Sequence, residues 1–256
     1  MFSKAAFAAE KARVKAARAA GLLDDDEEAR LLLHLLARVD VGGGGSGNGG
    51  GAGTSAGPRA GGAASASQRP ALASSKARAK GKQLFKACGE ERAEDAQRLI
   101  NEGAYLDFAD KDGRTPLIIA GEMGFEAITQ VLVDKGATLD LVDEGGRSAL
   151  MNSAFSGSTI TVDFLINNGA RLDLVDEIGS SALHLACFRG HAATAQLLAS
   201  RMDAAALNSV DRDGKTALDW ANEGGFHKTK VAELAPAAAT IRARGGRTAA
   251  ELKARM

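Results

Sequence analysis

The side chains able to carry nucleophilic, acid–base or metal chemistry are few and poorly grouped. Cys88 and Cys187 stand far apart, each among Ala, Leu and Phe. A thiol in such surroundings acts as a small hydrophobe rather than a nucleophile. His184 and His191 are seven residues apart, too far to place two zinc ligands on one helical turn. His34 lies in a leucine run and reads as a packing or helix-surface residue. The chain has no GxSxG, HExxH or Walker motif and no Cys–His–Asp cluster with a catalytic signature. The glycine run from Gly42 lacks the GxxxxGK[ST] pattern and the preceding strand of a phosphate loop. These absences lead to the expectation of a non-enzymatic protein with no cofactor and no metal. The acids Asp110, Asp143, Asp176 and Asp211 each stand three residues before a glycine, a turn pattern rather than a catalytic one.

What positions these residues is a repeat. Thr115, Ser148, Ser181 and Thr216 stand 33, 33 and 35 residues apart, and open the phrases TPLIIA, SALMNS, SALHLA and TALDWA. A period near 33 is the mark of an array of supersecondary units. Within each phrase the hydroxyl suits a helix N-cap, and Pro116 suits the first helical turn. Leu117, Leu150, Leu183 and Leu218 point to a shared core. Ala120, Ala186 and Ala221 keep neighbouring helices close, and Ser153 is a polar intrusion at the same place. Gly124, Gly157, Gly190 and Gly225 follow nine residues after the hydroxyl, at an expected helix–helix turn. Ile128, Val131 and Leu132, then Val162, Phe164 and Leu165, then Ala195, Leu197 and Leu198 form apolar stripes of second helices. Two departures stand out. The stretch Ala199–Asp203 replaces the Gly-Ala stop of the earlier units, so its turn is expected to bulge. Pro236 in an alanine run suits a loosened connection.

These residues resemble the ankyrin repeat. The resemblance implies an all-α, ankyrin-type α-solenoid of helix-turn-helix repeats with projecting β-hairpin turns. His184 and His191 fall where that family has structural histidines bonding adjoining turns. The array is expected over residues 76–256: a degenerate N-cap repeat at 80–109, repeats at 110–142, 143–175, 176–210 and 211–240, and a truncated C-cap at 241–256. Ahead of it, residues 1–41 read as an Ala/Leu-rich helical segment. Residues 42–75 form a Gly/Ser/Ala-rich linker with too little apolar surface to order.

The chain has 32 basic and 32 acidic residues. The array carries 23 basic and 25 acidic ones, without the basic excess of a dedicated nucleic-acid binder. No apolar run reaches a membrane span, and the cysteine usage fits a reducing compartment. A cytoplasmic location is expected. The alternatives are the nucleus, or import into an organelle through the basic residues 1–20. The leucine-rich stretch 22–41 offers a route to self-association.

The resemblance also implies another protein as partner, held on the hairpin tips and the concave face of the first helices. The tip positions are Lys111, Asp112 and Arg114; Glu144, Gly145 and Arg147; Glu177, Ile178 and Ser180; Arg212, Asp213 and Lys215. The concave positions are Glu122 and Met123; Phe155 and Ser156; Phe188 and Arg189; Glu223 and Gly224. Met123, Phe155, Ile178 and Phe188, flanked by Arg114, Arg147 and Arg189, have the composition of an interaction hot spot.

Overall fold

The computed structural model describes residues 74–226 and 228–255. These all fall in one compact unit, Gly62–Met256. The expectations for residues 1–41, and for the linker as far as residue 73, lie outside the described residues. The helices are α1 (Ser75–Gly89), α2 (Ala93–Asn101), α3 (Pro116–Met123), α4 (Glu126–Asp134), α5 (Ala149–Ser156), α6 (Thr159–Asn167), α7 (Ala182–Arg189), α8 (Ala192–Arg201), α9 (Ala204–Leu207), α10 (Ala217–Glu223), α11 (Val231–Ala243) and α12 (Ala249–Lys253).

Hydroxyls start the first helix of each well-formed repeat. Thr115 accepts the N–H of Ile118 at 3.3 Å, Ser148 that of Met151 at 3.4 Å, Ser181 that of His184 at 3.5 Å and Thr216 that of Asp219 at 3.3 Å. Each bond satisfies a donor that the helix terminus leaves open. Pro116 occupies the first turn of α3, where its missing N–H costs nothing.

The helices form two layers. One runs α1, α3, α5, α7, α10, each against the next; the other runs α2, α4, α6, α8, α11. Leu117, Leu150, Leu183 and Leu218 are buried between the layers, with Ala120, Ala186 and Ala221. Each buried leucine contributes about 1.5–3 kcal/mol. Ser153 is also fully buried, but its hydroxyl donates to the Ala149 carbonyl at 2.8 Å, so no polar group is stranded. Space for that hydroxyl comes from Gly121 on the neighbouring helix, where a Cβ would lie 2.6 Å from Ser153 Oγ. In the second helices Ile128, Leu132, Val162, Leu165, Ala195 and Leu198 are buried. Val131, Phe164 and Leu197 are only half-buried, on the flank of the stripe.

Three details differ from the sequence-based expectations. The bulge after α8 is an ordered extra helical turn, α9, capped by Asp203, which accepts the N–H of Ala206 at 2.8 Å. In repeat four the left-handed cap falls one residue earlier than expected, at Gly224. Pro236 lies inside α11 rather than in a loosened connection, and the helix runs past residue 240 to Ala243. The alanine-rich text favours helix, and Leu234, Ala237 and Ile241 lock one face into the core. The carbonyl that Pro236 cannot serve is that of Ala232, which sits on the exposed side within reach of water.

The segment after α11 is bonded to repeat four. Asn208 donates to the Gly245 carbonyl at 3.1 Å and accepts the Arg247 N–H at 2.8 Å, while Thr216 donates to the Arg247 carbonyl at 2.9 Å. α12 follows, with Thr248 and Glu251 forming a capping box.

Replacing the fully buried Leu165 by Ala is expected to lower the unfolding free energy by about 2–5 kcal/mol. The same change at exposed Met123 is expected to stay within about 0.5 kcal/mol. Urea denaturation followed by circular dichroism checks both.

Candidate functional site

Each hairpin begins with an aspartate that closes it. Asp110 Oδ1 accepts the N–H groups of Asp112 (3.0 Å) and Arg114 (2.8 Å). Asp143 does the same for Gly145 and Arg147, both at 2.9 Å, and Asp176 for Ile178 (3.0 Å) and Ser180 (2.8 Å). Asp211 accepts the Lys215 N–H at 2.9 Å. Successive hairpins are then joined through the backbone: Glu144 N–H to the Asp112 carbonyl (2.9 Å), Glu177 N–H to that of Gly145 (3.0 Å) and Arg212 N–H to that of Ile178 (2.9 Å). Gly146 shows why the turn needs glycine. Its φ is +77°, and a Cβ there would stand 3.1 Å from the Glu177 nitrogen of the next hairpin.

This ladder fixes the backbone and leaves a row of side chains at the tips. Lys111, Glu144, Glu177, Arg212 and Asp213 are exposed, and none makes a side-chain hydrogen bond or ion pair among the described residues. The second set is engaged within the fold. Arg114 makes two bonds to Asp110, at 3.1 and 3.0 Å, and stands 3.6 Å from Asp112 and 3.9 Å from Glu122. Arg147 Nε donates to Asp176 at 3.4 Å. Lys215 donates to Glu223 at 2.6 Å and lies 3.9 Å from the Trp220 ring centre.

The expected apolar centre divides. Met123 is 44 % exposed, while Phe155 is only 4 % exposed. Phe155 turns inward, with the Arg147 and Arg189 guanidinium carbons 5.5 and 4.7 Å from its ring centre. It therefore offers its ring to arginines of its own chain. Phe188 is half-buried and meets Trp220 edge-on at 5.1 Å and Phe226 at 5.0 Å. Ile178 is half-buried, and Ser180 is buried. The Ser156 hydroxyl donates across to the Gly121 carbonyl at 3.2 Å. Gly145 is half-buried and Gly224 buried.

Trp220 and Lys230 escaped the sequence reading. Trp220 is the single tryptophan, and its Nε1–H donates to Asp211 Oδ2 at 2.7 Å. The signal available was the phrase TALDWA itself, where Asp219 and Trp220 replace the more regular letters of the earlier copies.

The buried titratable groups serve structure. Burial pushes both thiols, Cys88 and Cys187, up to about 12, so neither is a thiolate near neutral pH. Burial raises the Asp176 carboxyl, against the opposing pull of Arg147 and of the Ser180 and Ile178 N–H groups. The His191 Nε2–H donates to the Phe155 carbonyl at 3.0 Å, tying repeat three to repeat two. His184 Nδ1 accepts the Ser181 N–H at 3.3 Å and lies 2.8 Å from its hydroxyl. Among the described residues no group of three or more His, Cys, Asp or Glu is arranged to hold a metal ion. Nor is any helix among them long and apolar enough to cross a membrane.

A family model described as ankyrin repeats (three copies) matches residues 84–176 and again 150–243. No curated protein matches the chain.

His184 generates a pH prediction. Burial lowers it from the ordinary 6.5, outweighing the opposing field of Asp211 and the Lys215 and Ser209 backbone. A depressed value means the folded state favours the neutral ring. Its contribution to stability is complete above about pH 6.5 and is lost as pH falls below, by at most about 1.4 kcal/mol per pH unit. The urea midpoint is expected to fall between pH 7.5 and pH 5.5, and to fall less in His184→Gln.

Proposed function

The chain belongs to the ankyrin-repeat family, and from that premise we propose that it is a non-enzymatic scaffold or adaptor that binds a partner protein on its hairpin tips and first-helix face. Ankyrin repeats are generally protein–protein interaction modules. The observation that carries the reading is the tip row. Its backbone is held by the aspartates and by bonds between hairpins, while Lys111, Glu144, Glu177, Arg212 and Asp213 remain exposed and unengaged. A rigid backbone presenting unengaged side chains binds without the ordering cost that weakens flexible surfaces. Exposed Met123 supplies an apolar contact beside this row. Phe155 supports the surface from beneath by fixing Arg147 and Arg189.

The test is affinity capture with the full chain, identification of the bound protein by mass, and titration of variants against it. Met123→Glu combined with Glu144→Lys and Glu177→Lys is expected to weaken binding about ten-fold or more. Ile160→Glu, at an exposed position on the second-helix layer, is expected to leave it unchanged. Equal affinity in all variants would place the partner elsewhere and sink the reading.

A further inference from the structure

The second helices carry an apolar stripe on the side turned away from the first-helix layer. Ala127, Ile160 and Ala193 stand 33 residues apart in α4, α6 and α8, and all three are exposed. Val131, Phe164 and Leu197, four residues further on, are half-buried. Residues four apart share one side of a helix, so the six form a single stripe across three helices. Ile160, 61 % exposed, is the most open large apolar residue among those described. It lies on α6, the middle helix of the five in this layer. Towards α2 the stripe opens into a groove of about 640 Å³, lined in part by Ala93, Ala96, Ala127, Ile128 and Val131. At the other end α11 packs on α8 and exposes Ala232, Ala235 and Pro236. A contiguous apolar surface of this extent marks a contact with another macromolecule.

Charge is graded along the same layer. Residues 93–102 and 126–135, which hold α2 and α4, carry five acids and two bases. In α6 the one charged residue is Asp163. Residues 192–201 and 228–244, which hold α8 and α11, carry five bases and one acid. Ion pairs from outside the layer trim both ends, Lys80 on Glu102 at one and Glu251 on Arg242 at the other, while Arg92 is shared between Asp95 and Glu90. Glu94, Glu126 and Asp134 have no ion-pair partner among the described residues, and neither have Lys228, Lys230 and Arg244. Lys230 and Arg244 donate to the Arg189 and Met202 carbonyls and keep their charge. Lys135 and Glu233 are likewise unpaired, one of the minority sign at each end.

We infer that the second-helix layer pairs with the same layer of a second copy of this chain, antiparallel, about a two-fold axis at α6. Such an axis brings Ile160 onto its own equivalent and lays the α2–α4 groove over α8 and α11 of the second copy. It also sets the acidic end of each layer against the basic end of the other. The parallel register would set acid on acid and base on base, which like-charge repulsion opposes. A nucleic acid or an anionic lipid surface would be repelled by the α2–α4 half of the face. An inverted copy satisfies both ends and covers the apolar middle. The first four helices of the layer have nine or ten residues. At ~1.5 Å per residue and ~10 Å between helices, the face has a footprint on the order of 600 Å². A standard interface takes about 800 Å² per partner, so the dimer is reversible rather than permanent. Pairing through this layer leaves the tips and first-helix face open to a partner protein.

Sedimentation velocity of the full chain over a concentration series, at low and high salt, tests it. A monomer–dimer equilibrium with Kd of roughly 1–100 µM is expected, weakening as salt is raised. Ile160→Glu sets two carboxylates face to face at the axis and is expected to weaken the dimer about ten-fold or more. Glu94→Lys and Lys228→Glu are each expected to weaken it about three-fold or more, and the double variant to recover most of that loss. All three positions are exposed, and thermal melts matching the parent separate lost pairing from lost fold. A monomer throughout the series, association that survives Ile160→Glu, or a double variant no tighter than the single ones would each overturn the inference. None of these readouts needs a partner protein, so failure here leaves the scaffold reading standing.

Discussion

Asp110, Asp143 and Asp176 each spend one carboxylate oxygen on two backbone N–H groups of their own turn, and the rest of the array depends on that closure. A turn held in this way offers its carbonyl at a set height, where the N–H of the next hairpin meets it. The tips are therefore joined as a ladder rather than standing as separate loops. The same residues set the start of the first helices, because the N-cap hydroxyl stands five positions after each aspartate. Losing one carboxylate would free two donors in its own turn and unseat the neighbour's register as well. That is a larger effect than a single hydrogen bond of about 1 kcal/mol suggests.

Packing imposes a second constraint at the same spacing. First helices approach closely enough that Ala120, Ala186 and Ala221 are fully buried, and Ser153 fits only because Gly121 faces it. A layer this tight cannot absorb a larger side chain at one repeat without a compensating loss at the next. Coupling of this kind makes stability a sum over neighbouring interfaces rather than over isolated units. Asn208, Thr216 and Asp219 bind the backbone of Gly245, Arg247 and Ala249, so the segment after α11 is held on repeat four by the same kind of side-chain-to-backbone bonds.

The scaffold was legible in the sequence because its positions are set by backbone needs that recur every 33 residues. A glycine at positive φ, a hydroxyl at an N-cap and an alanine between helices each have one reading. Side-chain direction was less legible. Phe155 and Phe188 occupy equivalent places 33 residues apart, yet one is buried between two arginines and the other lies half-open against Trp220. No period distinguishes them, because the difference comes from what the neighbouring repeats place beside each ring. Pro236 misled for a related reason. Its local meaning is a break, but Leu234, Ala237 and Ile241 gain enough burial to hold the helix through it.

Repeat four shows how a regular array acquires individuality. Where Gly224 ends α10 a residue early, the chain gains a seven-residue connection that folds back onto α7. The fold tolerates the change because the bonds from Phe226 and Lys230 land on the carbonyls of Phe188 and Arg189 at a helix end, where acceptors lack intrahelical partners. A lysine there also meets the negative end of the helix dipole. From the same connection Phe226 packs its ring against Phe188, with the centroids 5.0 Å apart. A departure that regularity would eliminate is thus held in place by the unsatisfied end of a regular helix, and the most irregular repeat becomes the one with the most distinctive surface.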